Sequence, residues 1–245
     1  MLIAILTFVI LIVLIIIRRA ELIAFFGRMK FQKGNLESAL KIHAIANRIG
    51  KLQDASLMYY GYLLLRDGQL EVAREILTRA SLMAKKPQMK KRIKSMLAIA
   101  EWKSGDLDTA IEMTEDAMVD FKTTNLYQNL GLMYVIKGDA RRALDFNKEA
   151  FEYNSDDMII MDNLAESYAL YGDTEKASEL YEKLLEKEPH FPEPYYGYGQ
   201  LLIKNGQKER GLELIEKSLE KKFTFLSVLQ KEDVKKMLEE AKEEE

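Results

Sequence analysis

A turn motif that recurs about every 34 residues constrains the fold of this 245-residue chain more than any other feature. Each copy has a glycine, then Asn, Asp or Gln, and a small residue five positions after the glycine. The copies are Gly34-Asn35 with Ala39, Gly68-Gln69 with Ala73, Gly105-Asp106 with Ala110, Gly138-Asp139 with Ala143, Gly172-Asp173 with Ala177, and Gly206-Gln207 with Gly211. Glycine can adopt the left-handed conformation that ends a helix, and Asn or Asp can cap the next helix. The period therefore predicts six helix-turn-helix hairpins.

The residues before the turns keep a common order of large apolar, small and aromatic side chains. Before the fourth and fifth turns they are Tyr127, Leu130, Gly131, Tyr134 and Met161, Leu164, Ala165, Tyr168. This order resembles the tetratricopeptide repeat (TPR) family over about Ala20 to Lys222, with weaker copies in the first and third hairpins. The resemblance implies an all-α TPR superhelical solenoid. We expect a transmembrane anchor helix at 1–17, six repeats over 18–222, and a capping helix with an acidic tail at 223–245, which contains Leu226, Leu229, Val234, Met237 and Leu238.

The first 17 residues, Met1 to Ile17, carry no charged side chain. As a helix they would span roughly 25 Å, slightly less than the hydrocarbon core of a bilayer. They lack the charged start, the shorter apolar core and the small-residue cleavage site of a secretory signal peptide, so an uncleaved anchor is predicted. The helix is expected to continue to Lys33, because no proline or glycine pair interrupts it.

Charge is divided unevenly along the chain. Residues 1–103 carry a net charge of +11 and residues 104–245 a net charge of -14. Basic residues follow the apolar segment directly, from Arg18 to Lys33, and such residues stay on the cytoplasmic side. We therefore expect a single-pass membrane protein with its N-terminus out and its soluble domain cytoplasmic. The layout is similar to that of TPR adaptors of the bacterial inner membrane.

The sequence contains few of the residues and motifs that enzymes use for catalysis. The chain has no cysteine, which excludes disulfides, thiolate metal sites and cysteine nucleophiles. No phosphate-binding glycine loop, nucleophile elbow or zinc-protease motif occurs, and no cofactor is expected. His43 is interpreted as a packing residue of the first repeat, and His190 as part of a connector between repeats. The prediction is a protein that is not an enzyme.

The TPR resemblance implies a concave groove, lined by the first helix of each hairpin, that binds a protein or peptide partner. Transferring the family's inward positions to this sequence gives Tyr59, Tyr62, Arg66, Met96, Ile99, Trp102, Lys103, Asn129, Leu132, Asn163, Glu166, Tyr196 and Gln200. For Tyr59 and Tyr196, packing between helices is an equal alternative. Ser95, Ile99, Ile159 and Gly197 stand where the carboxylate clamp of chaperone-binding TPR modules has cations, which disfavours that function.

A basic patch lies where the repeat interval lengthens to 37 residues. Its members are Lys85, Lys86, Lys90, Lys91, Arg92 and Lys94. The patch is interpreted either as a site for anionic lipid or an acidic protein, or as a solvated helix start. Nucleic acid is not expected, because the later part of the chain is acidic and no aromatic residues interrupt the patch.

Together these features predict a membrane-anchored TPR scaffold or adaptor that binds protein partners through its groove at the cytoplasmic membrane face. The alternative is a structural subunit of a larger envelope complex, for secretion, pilus or cell-envelope assembly.

Overall fold

The computed structural model describes the backbone of residues 2–243, and the side chains of these residues except 2–5, 8–15 and 242–243. The described chain is all-α, with thirteen helices and no strand. The helices are α1 (Leu2–Gln32), α2 (Leu36–Ile49), α3 (Asp54–Arg66), α4 (Leu70–Met83), α5 (Pro87–Lys103), α6 (Leu107–Met118), α7 (Thr124–Lys137), α8 (Ala140–Tyr153), α9 (Met158–Tyr171), α10 (Thr174–Glu186), α11 (Glu193–Lys204), α12 (Lys208–Ser218) and α13 (Lys231–Glu243). The predicted all-α helical repeat fold is confirmed.

The six predicted turns join α1–α2, α3–α4, α5–α6, α7–α8, α9–α10 and α11–α12. All six turn glycines have a positive φ, between 80° and 99°, which side chains other than glycine rarely tolerate. After four of the turns, the side chain of the next residue accepts a hydrogen bond from the backbone of the first turn of the following helix. These caps are Asn35, Asp106, Asp139 and Asp173. Gln69 and Gln207 form no such cap, so glycine alone makes those two turns.

The chain divides into two compact units, residues 1–104 and residues 105–245. In the first unit α1 packs on α2, α3 on α4, and α5 on both helices of the second hairpin. Its core is aliphatic and includes Leu57, Leu63, Leu77 and Ile93, all fully buried.

In the second unit each helix from α6 to α13 packs on the next one along the chain. The first helices of successive hairpins also touch, α7 with α9 and α9 with α11. Its core contains Leu164, Tyr181, Leu184 and Tyr198, and the rings of Tyr181 and Tyr198 stack with centroids 5.4 Å apart. This order leaves one side of α7, α9 and α11 available to form a common surface.

The predicted continuous N-terminal helix is present, since α1 runs unbroken from Leu2 to Gln32. Most side chains of the predicted anchor, those of residues 1–5 and 8–15, lie outside the described residues. Within the residues that are described, no helix is both long enough and apolar enough to span a bilayer.

The C-terminal helix starts later than the apolar pattern suggested. Leu226 and Leu229 belong to an irregular connector, residues 219–230, and the helix begins at Lys231. Val234 and Leu238 of α13 are buried against Ile215 of α12, so α13 covers the last hairpin.

Small residues set the distance between the two helices of a hairpin. A Cβ atom added at Gly199 of α11 would lie 2.6 Å from the backbone oxygen of Gly211 on α12. The two backbones therefore meet at this point, and neither position has room for a side chain. The other five positions that lie five residues after a turn glycine are alanines, and all five are fully buried.

Replacing Gly199 by Ala is expected to destabilise the second unit by about 1–3 kcal/mol, because the new methyl group must push two backbones apart. The free energy of unfolding would be measured by urea titration of the full chain in mild detergent, followed by circular dichroism. Glu216→Ala, at an exposed position of α12, is the matched control. A Gly199→Ala variant as stable as that control would contradict the close approach.

Candidate protein-binding pocket

A pocket of about 140 Å³ lies on the shared surface of α7, α9 and α11 in the second unit. Twelve residues line it: Leu132, Val135, Ile136, Asp162, Asn163, Glu166, Glu193, Tyr196, Gly197, Gln200, Val228 and Leu229. The three helices are the first helices of the fourth, fifth and sixth hairpins. The last two residues come from the connector between α12 and α13.

One wall of the pocket is apolar. Leu132, Val135 and Ile136 supply it from α7, where their spacing places them on one face of the helix. Val228 and Leu229 supply apolar surface from the connector. The connector is fastened to α11 because the backbone N–H of Val228 donates a hydrogen bond to Glu193 Oε1, at 3.1 Å. The C-terminal segment therefore helps to form the pocket as well as covering the last hairpin.

The acidic part of the lining comes from α9 and α11. Asp162 and Glu166 are four residues apart on α9 and share one face, and Glu193 joins them from α11. The Tyr181 hydroxyl donates to Glu166 Oε2 at 2.6 Å. Burial raises the pKa of Asp162 well above its usual range, and the neighbouring carboxylates of Glu166 and Glu193 raise it further. Among the described residues, none that lines the pocket is basic.

Asn163 and Gly197 also line the pocket. Asn163 is only 3% exposed, and its amide nitrogen donates to the backbone oxygen of Gln128 at 2.9 Å. A Cβ atom at Gly197 would lie 2.6 Å from the Tyr181 hydroxyl and 3.0 Å from Glu166 Oε2. The absence of a side chain at position 197 thus leaves room for the Tyr181–Glu166 hydrogen bond.

The structure brings five of the predicted groove residues together in this pocket: Leu132, Asn163, Glu166, Tyr196 and Gln200. Tyr196 and Gln200 are joined by a hydrogen bond of 2.7 Å from the amide to the phenol oxygen. Asn129 is half-buried on α7 and is not part of the lining. Sequence reasoning missed the residue at the acidic centre, Asp162, although it directly precedes Asn163.

In the first unit, the predicted groove residues Tyr59, Tyr62 and Arg66 belong to an aromatic cluster with Phe31 of α1. The ring of Phe31 meets those of Tyr59 and Tyr62 edge-on, with centroids 6.2 and 6.0 Å apart. Arg66 lies 5.5 Å from the Phe31 ring centre and donates to the Tyr62 hydroxyl at 3.0 Å. These side chains already contact one another, so the packing alternative for Tyr59 has direct structural support.

The α5 residues of the predicted groove are all half-buried: Met96, Ile99, Trp102 and Lys103. The ammonium of Lys103 lies 4.2 Å from the centre of the Trp102 ring, within the range of a cation–π contact. The role of these four residues in partner binding stays a prediction.

The basic patch lies at the start of α5, where Lys86 is the N-cap residue and Pro87 opens the helix. Lys85, Lys86, Lys90 and Arg92 are exposed, and Lys91 and Lys94 are half-buried. The first turn of α5 contains no acidic residue. Cations at a helix N-terminus oppose the helix dipole, so Lys86 and Lys90 do not stabilise α5 through the dipole.

His43 occupies the packing position expected from the sequence. It is fully buried, its Nδ1 lies 2.8 Å from the Ala39 carbonyl oxygen, and its ring stacks on Tyr60 with centroids 5.8 Å apart. Burial lowers the pKa of His43, which favours the neutral form. Across the described residues, no three or more His, Asp or Glu side chains are arranged to hold a metal ion.

The fold is that of a helical-repeat protein in which three first helices of the second unit share a pocket. Residues 169–224 match the tetratricopeptide repeat family model, and solved TPR structures share the fold. The family match covers residues 169–224, and beyond them the likeness to TPR proteins is one of fold.

A thermophilic TPR protein of Thermus thermophilus is 21% identical, with a TM-score of 0.62 over 77% of this chain and 98% of that one. YrrB, described as a TPR protein with an unusual peptide-binding site, is 18% identical, with a TM-score of 0.51 over 78% of this chain and 91% of that one. Among curated proteins, the uncharacterized protein ycf37 of Pyropia yezoensis is 36% identical over 61 residues, which are 25% of this chain. The match spans only 34% of that relative's length.

Replacing Asp162 by Asn is expected to raise the free energy of unfolding at pH 8 by about 0.5–2 kcal/mol. The pKa of Asp162 is higher in the folded protein than in the unfolded chain, so ionisation above that pKa favours unfolding. The gain should shrink as the pH falls towards the ordinary carboxyl pKa of 3.8, because the acid is then protonated in both states. Glu152→Gln makes the same charge change at an exposed position of α8. Equal stability of the two variants at pH 8 would contradict this account of Asp162.

Proposed function

We propose that this TPR protein is a non-enzymatic, membrane-anchored scaffold or adaptor that captures a segment of a partner protein on its first helices. TPR proteins mediate protein–protein interactions, and the single observation that carries the proposal is the pocket on α7, α9 and α11. The pocket combines an apolar wall with carboxylate and amide groups. A surface of this composition suits a polypeptide, whose side chains supply apolar contact and whose charged and backbone groups supply hydrogen bonds.

Peptide capture in particular is supported by the spacing of the lining residues. Leu132, Asn163 and Tyr196 come from three successive first helices, so the pocket runs across the hairpins. Tyr196 supplies rigid contact area and Gln200, which is exposed, supplies an amide at the rim. The likeness to YrrB, a TPR protein with a peptide-binding site, agrees with this proposal.

Attachment to a membrane is supported by the apolar segment 1–17 and by the surface of α1 that follows it. The small residues Ala20, Ala24 and Gly27 are buried, whereas Leu22, Phe25, Phe26 and Met29 are exposed. The exposed set recurs at helical spacing, so α1 turns its bulky apolar face away from the first unit. A helix with this face, flanked by Arg18, Arg19 and Lys30, suits the boundary between lipid tails and head groups.

The basic patch supports a second contact with anionic lipid. Leu82, immediately before it in α4, is 82% exposed. A large apolar side chain next to exposed lysines is the arrangement that interfacial contacts use, and each cation near a charged leaflet contributes about 1 kcal/mol. The first unit, with its positive net charge, is the part that this proposal places against the lipid.

Photo-crosslinking in native membranes tests partner capture. A photoreactive phenylalanine at Gln200 is expected to give a discrete protein adduct, because this residue stands at the exposed rim of the pocket. The same group at Lys183, an exposed residue of α10 outside the lining, should give none. Leu132→Ser should weaken the Gln200 adduct several-fold, and Trp102→Ala with Tyr62→Ala reports whether the first unit takes part. Equal adducts from both positions would remove the pocket as the capture site.

A structural subunit of an envelope assembly is the second candidate, and exposed apolar side chains away from the pocket favour it. Leu82 on α4 and Val119, directly after α6, are more than half exposed. Detergent-extracted size distinguishes the two functions. A large complex that persists in the Leu132→Ser variant indicates a subunit held through other surfaces, whereas an adaptor loses its partner.

The proposed orientation predicts the result of protease digestion of sealed membrane vesicles. Residues 34–245 should be digested in inside-out vesicles and protected in right-side-out vesicles, because the basic residues after the apolar segment hold that side in the cytoplasm. A soluble marker inside each vesicle preparation controls for leakage. The opposite protection pattern would show that the orientation is wrong.

A further inference from the structure

We propose that the pocket on α7, α9 and α11 binds one basic side chain, lysine or arginine, of the partner polypeptide. The cation lies against Asp162 and Glu166, and its alkyl stem lies along the wall made by Leu132, Val135 and the connector. This inference rests on the proposed capture of a partner segment and specifies which residue of that segment the pocket selects.

The charges of the residues that line the pocket are the first observation in favour of a bound cation. Of the described residues, three carboxylates and no basic side chain line the pocket. Glu166 accepts from Tyr181 and Glu193 accepts from Val228, but within the described residues no hydrogen bond or ion pair reaches the carboxylate of Asp162. A carboxylate in a half-buried position is costly without a partner, so a bound cation stabilises it.

The hydrogen-bonding groups of the pocket are the second observation in favour of a bound cation. Asn163 is more than nine-tenths buried and its amide nitrogen is engaged with Gln128, whereas no hydrogen bond in the described part of the chain reaches its amide oxygen. Asn163 and Asp162 therefore offer acceptors to the pocket. Lysine and arginine side chains carry only donors, three and five N–H groups respectively, so they match this set. An acidic or amide side chain would place further acceptors against the carboxylates.

The volume of the pocket and its apolar lining are the third observation, and they favour a side chain as the ligand. Pockets for small molecules enclose roughly 300–1,000 Å³, so a volume of about 140 Å³ suits a single side chain rather than a whole cofactor. A bare metal ion would gain nothing from the apolar wall of Leu132, Val135, Ile136, Val228 and Leu229. The stems of lysine and arginine are apolar while their ends are charged, and such side chains bury the stem and keep the charge near polar groups.

The test uses the full chain, immobilised in mild detergent, and mixtures of nine-residue peptides. In each mixture the central residue is fixed as lysine, arginine, norleucine or glutamate, and the flanking positions vary among uncharged residues. Norleucine has a linear apolar side chain without the charge. Retained peptides are counted by mass spectrometry. The wild type is expected to retain the lysine and arginine mixtures about tenfold more than the norleucine mixture. A hydrogen bond to a charged group adds roughly enough binding free energy for a difference of this size.

A double variant distinguishes the effect of the carboxylate charges from the effect of the shape of the pocket. Asp162→Asn with Glu166→Gln should abolish the preference for lysine and arginine over norleucine. Glutamine at 166 can still accept from Tyr181, and circular dichroism checks that the variant is folded. Glu152→Gln, which removes one exposed carboxylate elsewhere in the second unit, should behave as wild type. The preference should also weaken as the pH falls, because protonation of Asp162 removes its charge.

The remaining outcomes are distinguishable from failure of the proposed function. Equal retention of the norleucine, lysine and arginine mixtures would overturn this inference but leave peptide capture intact. Retention of no mixture, together with a Gln200 photo-adduct, would also overturn it, since the partner would then bind without a side-chain cation. Displacement by n-butylammonium without selection among peptides would identify a free amine as the ligand and overturn the assignment to a polypeptide. Absence of both peptides and adducts would overturn the proposed function as well.

Discussion

The close approach of two helices of one hairpin, as between α3 and α4 and between α11 and α12, is the contact on which the rest of the structure depends. Gly199 and Gly211 allow the backbones of α11 and α12 to meet, and Gly61 allows α3 to approach Leu77 of α4 in the same way. A side chain at these points would drive the helices apart. Because the second helix lies so close behind the first, consecutive first helices can touch each other, as α7, α9 and α11 do. Their remaining side then forms one continuous surface.

Each helix contributes a different type of side chain to that surface. In the second unit α7 contributes aliphatic side chains, α9 contributes carboxylates, and α11 contributes Tyr196 and Gln200. The surface would be open beyond α11 without the connector, which is fastened through the Val228–Glu193 hydrogen bond. The C-terminal segment thus has two roles, since Val234 and Leu238 of α13 are buried against Ile215 while Val228 and Leu229 line the pocket.

The sequence predicts what depends on local rules and on the repeat period. The glycine turns, the Asn and Asp caps and the continuity of α1 follow from neighbouring residues, and all are observed. The inward positions implied by the family resemblance include Asn163, Glu166 and Tyr196, which line the pocket. Contacts made by residues that do not follow the repeat period were not predicted from the sequence. Nothing in the repeat shows that the connector would return Val228 to α11, or that Phe31 of α1 would occupy the aromatic cluster around Tyr62.

Charged side chains on the first helices of the two units differ in whether they have partners within the chain. In the first unit Arg66 is held by Phe31 and by the Tyr62 hydroxyl, so its cation has partners within the chain. In the second unit burial raises the pKa of the Asp162 carboxyl, and the neighbouring carboxylates of Glu166 and Glu193 raise it further. An arrangement that serves folding alone would replace such an acid with an amide or an apolar residue. Its presence beside an apolar wall is explained when a cation from another molecule completes the site.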